Sequence, residues 1–324
     1  MKALEDVVLF KTDAEKEGKE MKAEYLVQGY PTFVLVNADG EVLDTWSGYA
    51  KEFFLQLLAP AVADPTTIDE KTARFAANPS ANDGLRVARY HATRGAYDTA
   101  LEFVEATGEL DDAPDLAATR FDYLSSGFLY KDLFDAGTVR KAADAVVASD
   151  AATPDDLVNV EQGMASVGRK VEDPELRIAY LTPAFEATRD SENESLARMH
   201  TRLAVDHALL VEKAPAKAVE LRRELLPEGW KEDPSALNGF AWWCFEGNVN
   251  LDEALVLARR GAELAAPGKE RAMILDTAAE ICNAQGNCDD AVELIRQAVE
   301  EAPDTEYYQE QLQRFQDVRA ASAN

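Results

Sequence analysis

The chain has 324 residues, and 33 lysines and arginines face 60 aspartates and glutamates, a formal net charge of −27. Such a surface repels phosphate backbones and anionic lipid headgroups, which excludes nucleic acid as a partner, and no window approaches the roughly 20 apolar residues of a membrane span. Apolar residues make up 47% of the chain, enough for a sizeable core and too many for global disorder.

Taken in chain order, the run DVVLF at 6–10 predicts a short buried strand. A one-sided helix is expected over 13–27, with Met21, Tyr25 and Leu26 on its apolar face, ended by Gln28-Gly29. TFVLVNADGEVLDTWSGY then reads as a β-hairpin: Phe33 to Val36 and Glu41 to Trp46, joined by a turn containing Asp39-Gly40. A closing helix is expected over 51–60, with Phe54, Leu57 and Leu58 on one face.

This order of strand, helix, strand, strand, helix, with Gly29-Tyr30-Pro31-Thr32 ahead of the hairpin and Gly48 after it, resembles the C-terminal half of the thioredoxin fold. The resemblance covers about sixty residues. It implies a cis bond at Pro31 and a Tyr30 backbone turned outward to pair with an extended peptide, so Gly29, Tyr30, Pro31 and Thr32 are the expected peptide-binding residues. An ordinary proline leading a strand is the other reading of Pro31. The family's reactive half, with its Cys-x-x-Cys, would lie ahead of residue 6. Cys244, Cys282 and Cys288 are the only cysteines, and no Cys-x-x-Cys occurs. Residues 1–324 are therefore expected to be redox-inactive. Either the sequence starts inside a longer gene, whose whole product would be a thiol-disulfide oxidoreductase, or the domain is reduced to this half; the first is the expectation. No secretory signal is visible in the first residues, so as written the chain is expected to be soluble and cytoplasmic, whereas a start inside a longer gene would allow a periplasmic or secreted location.

After Pro60 strand-like runs cease. Residues 61–83 read as a linker helix broken at Pro65 and Pro79. Beyond it, residues 84–324 repeat. GAYDTALEFV at 95–104, VNLDEALVLARRGAELAAPG at 249–268 and GNCDDAVELIRQAVEEAPD at 286–304 share one frame. Gly95 precedes Ala100, and Gly286 precedes Ala291, by the same interval; Ala254 with Gly261, and Ala291 with Ala298, place small residues two turns apart on one helix face. This frame, with exit prolines at Pro267 and Pro303, resembles the tetratricopeptide repeat. Further pairs are traced around Ala143, Ala179 and Ala218, for five to six helix pairs in all, and 305–321 reads as a capping helix. The expected fold class is thus an α+β partial thioredoxin-like domain at 1–60 followed by an all-α helical array.

The remaining chemistry-bearing residues carry bland readings. Cys282 and Cys244 are expected in the core and Cys288 in a turn. His91, His200 and His207 lack a third ligand for a metal, although His200 and His207 are spaced to share a helix face. Of Trp242 and Trp243, one is expected to pack inward, and the other to join the core or line a groove. No phosphate loop, Gly-x-Ser-x-Gly or His-Glu-x-x-His is present, so neither a catalytic centre nor a cofactor is expected. The partners expected are proteins or extended peptides; the alternative is a non-catalytic scaffold whose N-terminal segment is a vestigial cap.

Overall fold

The apolar run Phe33–Val36 and the run Val42–Trp46, broken by Asn37 to Gly40, form an antiparallel hairpin of Thr32–Val36 (β1) and Val42–Ser47 (β2). Phe33 pairs with Trp46 and stacks on it at 5.7 Å between ring centres. The turn is held by Asn37, whose side-chain oxygen accepts from the backbone of Asp39 and Glu41. The structure is a computed structural model and describes residues 7–49 and 51–322. By contact the chain divides into two units, Met1–Ala184 and Phe185–Asn324.

The first unit opens on two departures from expectation. Residues 7–10 form no strand, and Val8, Leu9 and Phe10 are exposed. Among the described residues the sheet has only two strands. An apolar run becomes a strand only when a neighbour takes its N–H and C=O groups, and none flanks this one. The larger sheet implied by the thioredoxin resemblance is not built by the described residues. The helix expected over 13–27 is limited to Lys19–Glu24 (α1), with Met21 exposed. A turn at 14–18 precedes it and Leu26 follows in left-handed backbone.

Lys51–Ala63 (α2) closes over the hairpin. Leu58 and Ala61 are buried with Trp46, and Phe54 meets Phe33 edge-on at 4.9 Å. Where a linker helix was expected, residues 61–83 hold the end of α2, all of Ile68–Ala77 (α3) and the start of Ala81–Thr93 (α4). Pro65 and Pro79 fall in the breaks, and Thr67 with Glu70 forms a capping box that starts α3. The remaining helices of this unit are Tyr97–Gly108 (α5), Ala117–Lys131 (α6), Ala136–Val147 (α7), Pro154–Val171 (α8) and the greater part of Glu175–Thr188 (α9). Caps at Ser80, Asp135 and Thr153 set the starts of α4, α7 and α8.

An ionic cluster fastens the hairpin to these helices. Asp44 on β2 accepts from Arg86 at 2.7 Å and from Arg89 at 2.7 Å, both on α4. Asp64 accepts from Arg74 and Arg86. The ammonium of Lys71, wholly buried, donates to the backbone carbonyls of Leu43 and Thr66, while Arg89 donates to that of Thr45. These two cations therefore occupy the carbonyls along one margin of β2, which another chain would otherwise need for pairing.

The second unit contains Glu194–Asp206 (α10), the π-helical His207–Val211 that continues it, Pro215–Glu224 (α11), Pro234–Glu246 (α12), Leu251–Leu264 (α13), Lys269–Ala284 (α14), Cys288–Glu301 (α15) and Glu306–Ser322 (α16). Its core runs through Phe240, Ala254, Ile274, Ile281, Ile295 and Phe315, all fully buried.

The repeat is visible in the backbone. Between the helices of successive pairs stands a residue with positive φ, namely Gly95, Asp132, Glu172, Lys213, Asn248 (with Asn250 a second, at the start of α13) and Gly286, at intervals of 35 to 41 residues. Each closes the preceding helix in the left-handed conformation that ends helices. Small residues then let the helices of a pair cross closely. Ala100 with Thr107, Val139 with Val146, Ala254 with Gly261, and Ala291 with Ala298 are buried and seven apart. Ala143 and Ala218 are buried as expected, but Ala179 is exposed. There the inward residues are Tyr180 and Leu181, so the expected frame is displaced at that helix. The chain is thus mostly helical and built of repeated helix pairs.

Candidate functional site

The first helices of the last two pairs, α12 and α14, and the helix that follows those pairs, α16, lie in succession within the second unit. Hydrogen bonds fix how α12 and α14 correspond. Val249 N–H donates to the Cys244 carbonyl at 2.9 Å and Asn287 N–H to the Cys282 carbonyl at 2.8 Å, so the two cysteines hold the same place. In that frame Asn238 matches Asp276, and Trp242 matches Glu280. Each couple is spaced by one helical turn and shares a face.

On α14 this face meets α16. The Tyr307 hydroxyl donates to Asp276 Oδ2 at 3.2 Å, and Arg314 donates to Glu280. Tyr307, Gln311 and Arg314 are spaced to share one side of α16, so Gln311 stands between the two contacts. Among the described residues, four acceptor oxygens on the three helices are buried without a hydrogen-bond partner: Asn238 Oδ1, Asp276 Oδ1, Asn283 Oδ1 and Gln311 Oε1. Asp276 is 7% exposed, and burial, then the nearby Glu280, pushes its carboxyl up to about 6. Such unsatisfied acceptors cost about 1–3 kcal/mol each and call for an explanation. Apolar side chains stand open on the same helices: Trp242, Met273 and Tyr307 are all exposed. The arrangement can accept hydrogen bonds and bury apolar side chains. It contains no nucleophile with an activating base.

Sequence reasoning missed this seam. The contacts join residues 31 and 34 apart, Asp276 to Tyr307 and Glu280 to Arg314, and carboxylates are too common in this chain to mark a pair. The near coincidence of those separations with the repeat period was the usable signal.

The residues singled out from sequence lie as follows. Gly29, Tyr30 and Pro31 are exposed, and the Tyr30–Pro31 peptide bond is cis. The Thr32 hydroxyl donates to the Gly29 carbonyl at 2.7 Å, and the Tyr30 hydroxyl to Glu15 at 2.9 Å. Cys244 and Cys282 are buried, with burial pushing the Cys244 thiol up to about 12. Cys288, half-buried, begins α15. His200 and His207 do share a face, and both stack on Phe185 at 4.6 Å; His91 stacks on Phe103 at 5.6 Å. Among the described residues no group of three histidine, cysteine or carboxylate side chains is placed to hold a metal. Trp243 lies half-buried against Phe240, whereas Trp242 is the open member of the pair. No helix among the described residues is long and apolar enough to cross a membrane.

No protein-family model and no curated protein matches the chain. Among solved structures it is similar to YrrB, described as a TPR protein with an unusual peptide-binding site, at 18% identity and a TM-score of 0.38, over 75% of this chain and 98% of that one.

Proposed function

We propose that this chain is a non-catalytic helical-repeat scaffold, its helix pairs of the tetratricopeptide kind, which binds an extended segment of a partner protein on the face of α12, α14 and α16. The observation that carries this reading is the coincidence on those helices of open apolar side chains, Trp242, Met273 and Tyr307, with buried acceptors that no group among the described residues satisfies. An extended peptide supplies what the face lacks, namely N–H donors and apolar side chains. The test is selection from a displayed random-peptide library on the purified chain, followed by titration calorimetry of the enriched peptides. Trp242→Ala combined with Met273→Ala is expected to weaken binding at least tenfold with an unchanged circular dichroism spectrum. Enriched peptides that bind the double variant as tightly as the parent would overturn the reading.

A second peptide site at Gly29, Tyr30, Pro31 and Thr32 is favoured by one observation. Gly48 N–H donates to the Pro31 carbonyl, and the Thr45 carbonyl opposite Val34 is taken by Arg89, so in the alternation of an antiparallel ladder the backbone groups of Thr32 and Val34 point to the other side of β1, where no partner strand lies among the described residues. Strand addition there would be read as peptide binding that survives the Trp242 and Met273 substitutions and disappears on replacing Val34 with proline. In a longer gene product this site would serve the thiol-disulfide chemistry that the sequence resemblance implies.

A further inference from the structure

The scaffold reading leaves open what the α14–α16 seam selects. We propose that it takes a cationic side chain, the lysine or arginine of an extended peptide, between Asp276 and Gln311 and beside Glu280. The inference rests on the scaffold reading and gives its ligand a chemistry.

Two carboxylates, Asp276 and Glu280, are buried one helical turn apart on α14 and face the same helix. Arg314 is the cation set against them there, and it is committed to Glu280. Asp276 receives a neutral hydroxyl at one oxygen and nothing at the other. Gln311 places a second empty acceptor on the facing helix, between Tyr307 and Arg314. An ammonium or guanidinium carries several donors and one positive charge, so it can satisfy the empty Asp276 oxygen and balance a carboxylate whose nearest cation, Arg314, is bonded to Glu280, with Gln311 as a further acceptor on the facing helix. An anionic or neutral apolar anchor does neither. Burial strengthens the selection, because an interaction between charges is weakened less where water is excluded. The net charge of −27 adds long-range attraction for a basic segment. Beside the seam, Trp242 and Met273 offer apolar surface for the residues that flank the cation.

The test uses the full chain and three blocked pentapeptides that differ only in the central residue: Ac-Ala-Leu-Lys-Leu-Ala-NH2 and its glutamate and norleucine counterparts. Backbone amide shifts in α14 and α16 are followed by NMR during titration. The lysine peptide is expected to saturate shifts around Asp276 and Gln311, the other two to bind at least tenfold more weakly. Asp276→Asn is expected to lower the lysine peptide's affinity at least tenfold, whereas Asp155→Asn, at an exposed acid on α8, leaves it unchanged. Equal binding of all three peptides at this face, or unchanged affinity in Asp276→Asn, would sink the cation claim and leave the scaffold reading standing. If selected peptides also fail to shift any signal on α12, α14 or α16, both readings fall.

Discussion

Asp44 and Arg86 lie 42 residues apart in sequence and 2.7 Å apart in space, 1% and 5% exposed at their side chains. Through this pair a strand and a helix of the first unit are fixed to each other. Desolvating both ions is costly, and their mutual attraction repays it only while both are present. Asp44→Ala removes the buried carboxylate that Arg86 and Arg89 share, leaving Arg86 only Asp64 and Arg89 only the Thr45 carbonyl, and is expected to destabilise by about 3 kcal/mol. Replacing Asp44 and Arg86 together by leucine and methionine should cost markedly less. Urea unfolding monitored by Trp46 fluorescence compares the two variants; equal losses would mean that the pair contributes only packing.

Gly84 on α4 is set where a methyl group would come within 2.0 Å of the Thr107 hydroxyl and 2.7 Å of the Phe75 ring. Neither neighbour can withdraw easily, since Thr107 is wholly buried and Phe75 is 7% exposed. Gly84→Ala is therefore expected to destabilise by about 1–3 kcal/mol despite the better helix propensity of alanine. Calorimetric melting tests it; a raised Tm would show that α4 and α5 can separate without loss.

For Asp276 the sign of the pH effect is fixed by its raised carboxyl, about 6 against an ordinary 3.8. A group raised on folding contributes stability that is fully present below pH 3.8 and lost as the pH rises through 6. Asp276→Asn, which keeps an acceptor for Tyr307, removes that loss. Its advantage over the parent should be small near pH 4, grow between pH 4 and 6, and level off above 7 at no more than about 3 kcal/mol. Paired urea melts across this range read the difference directly. A variant uniformly less stable than the parent would contradict the assignment. Greater stability with weaker peptide binding would mark Asp276 as retained for recognition.

The three cysteines should separate cleanly toward a thiol reagent. Cys244 and Cys282 are buried and burial raises both thiols, whereas Cys288 is partly open beside Ser322. In native buffer one thiol per chain is expected to react quickly and two only after unfolding, and Cys288→Ser should abolish the fast phase. A fast phase that persists in Cys288→Ser would place one of the other two at the surface.

Much of the fold was legible because its signals are local. The hairpin was carried by two apolar runs on either side of the turn at Asn37 to Gly40, the closing helix by Phe54, Leu57 and Leu58, and the helix pairs by small residues two turns apart. The failures were matters of partnership. The apolar run at 6–10 says nothing of whether a neighbour exists, and Val8 to Phe10 stand open. Ala179 was placed inward by its distance from other alanines, whereas Tyr180 and Leu181 turn inward there. Lys71 reads as a surface residue in any single sequence. Its burial depends on Leu43, 28 residues earlier, offering a carbonyl. The seam at Asp276 was hidden for the same reason, since its acids differ from dozens of others only through what lies across from them.

The left-handed residue between the helices of each pair has an evolutionary consequence. Because each pair carries its own backbone reversal inside it, copying one reversal together with its two flanking helices copies a complete helix hairpin. Spacings that range from 35 to 41 residues show that the joints tolerate slippage of several positions. A gene of this kind can grow or shrink by whole modules, and a newly duplicated module is free to diverge toward a different ligand while its neighbours keep the ancestral one.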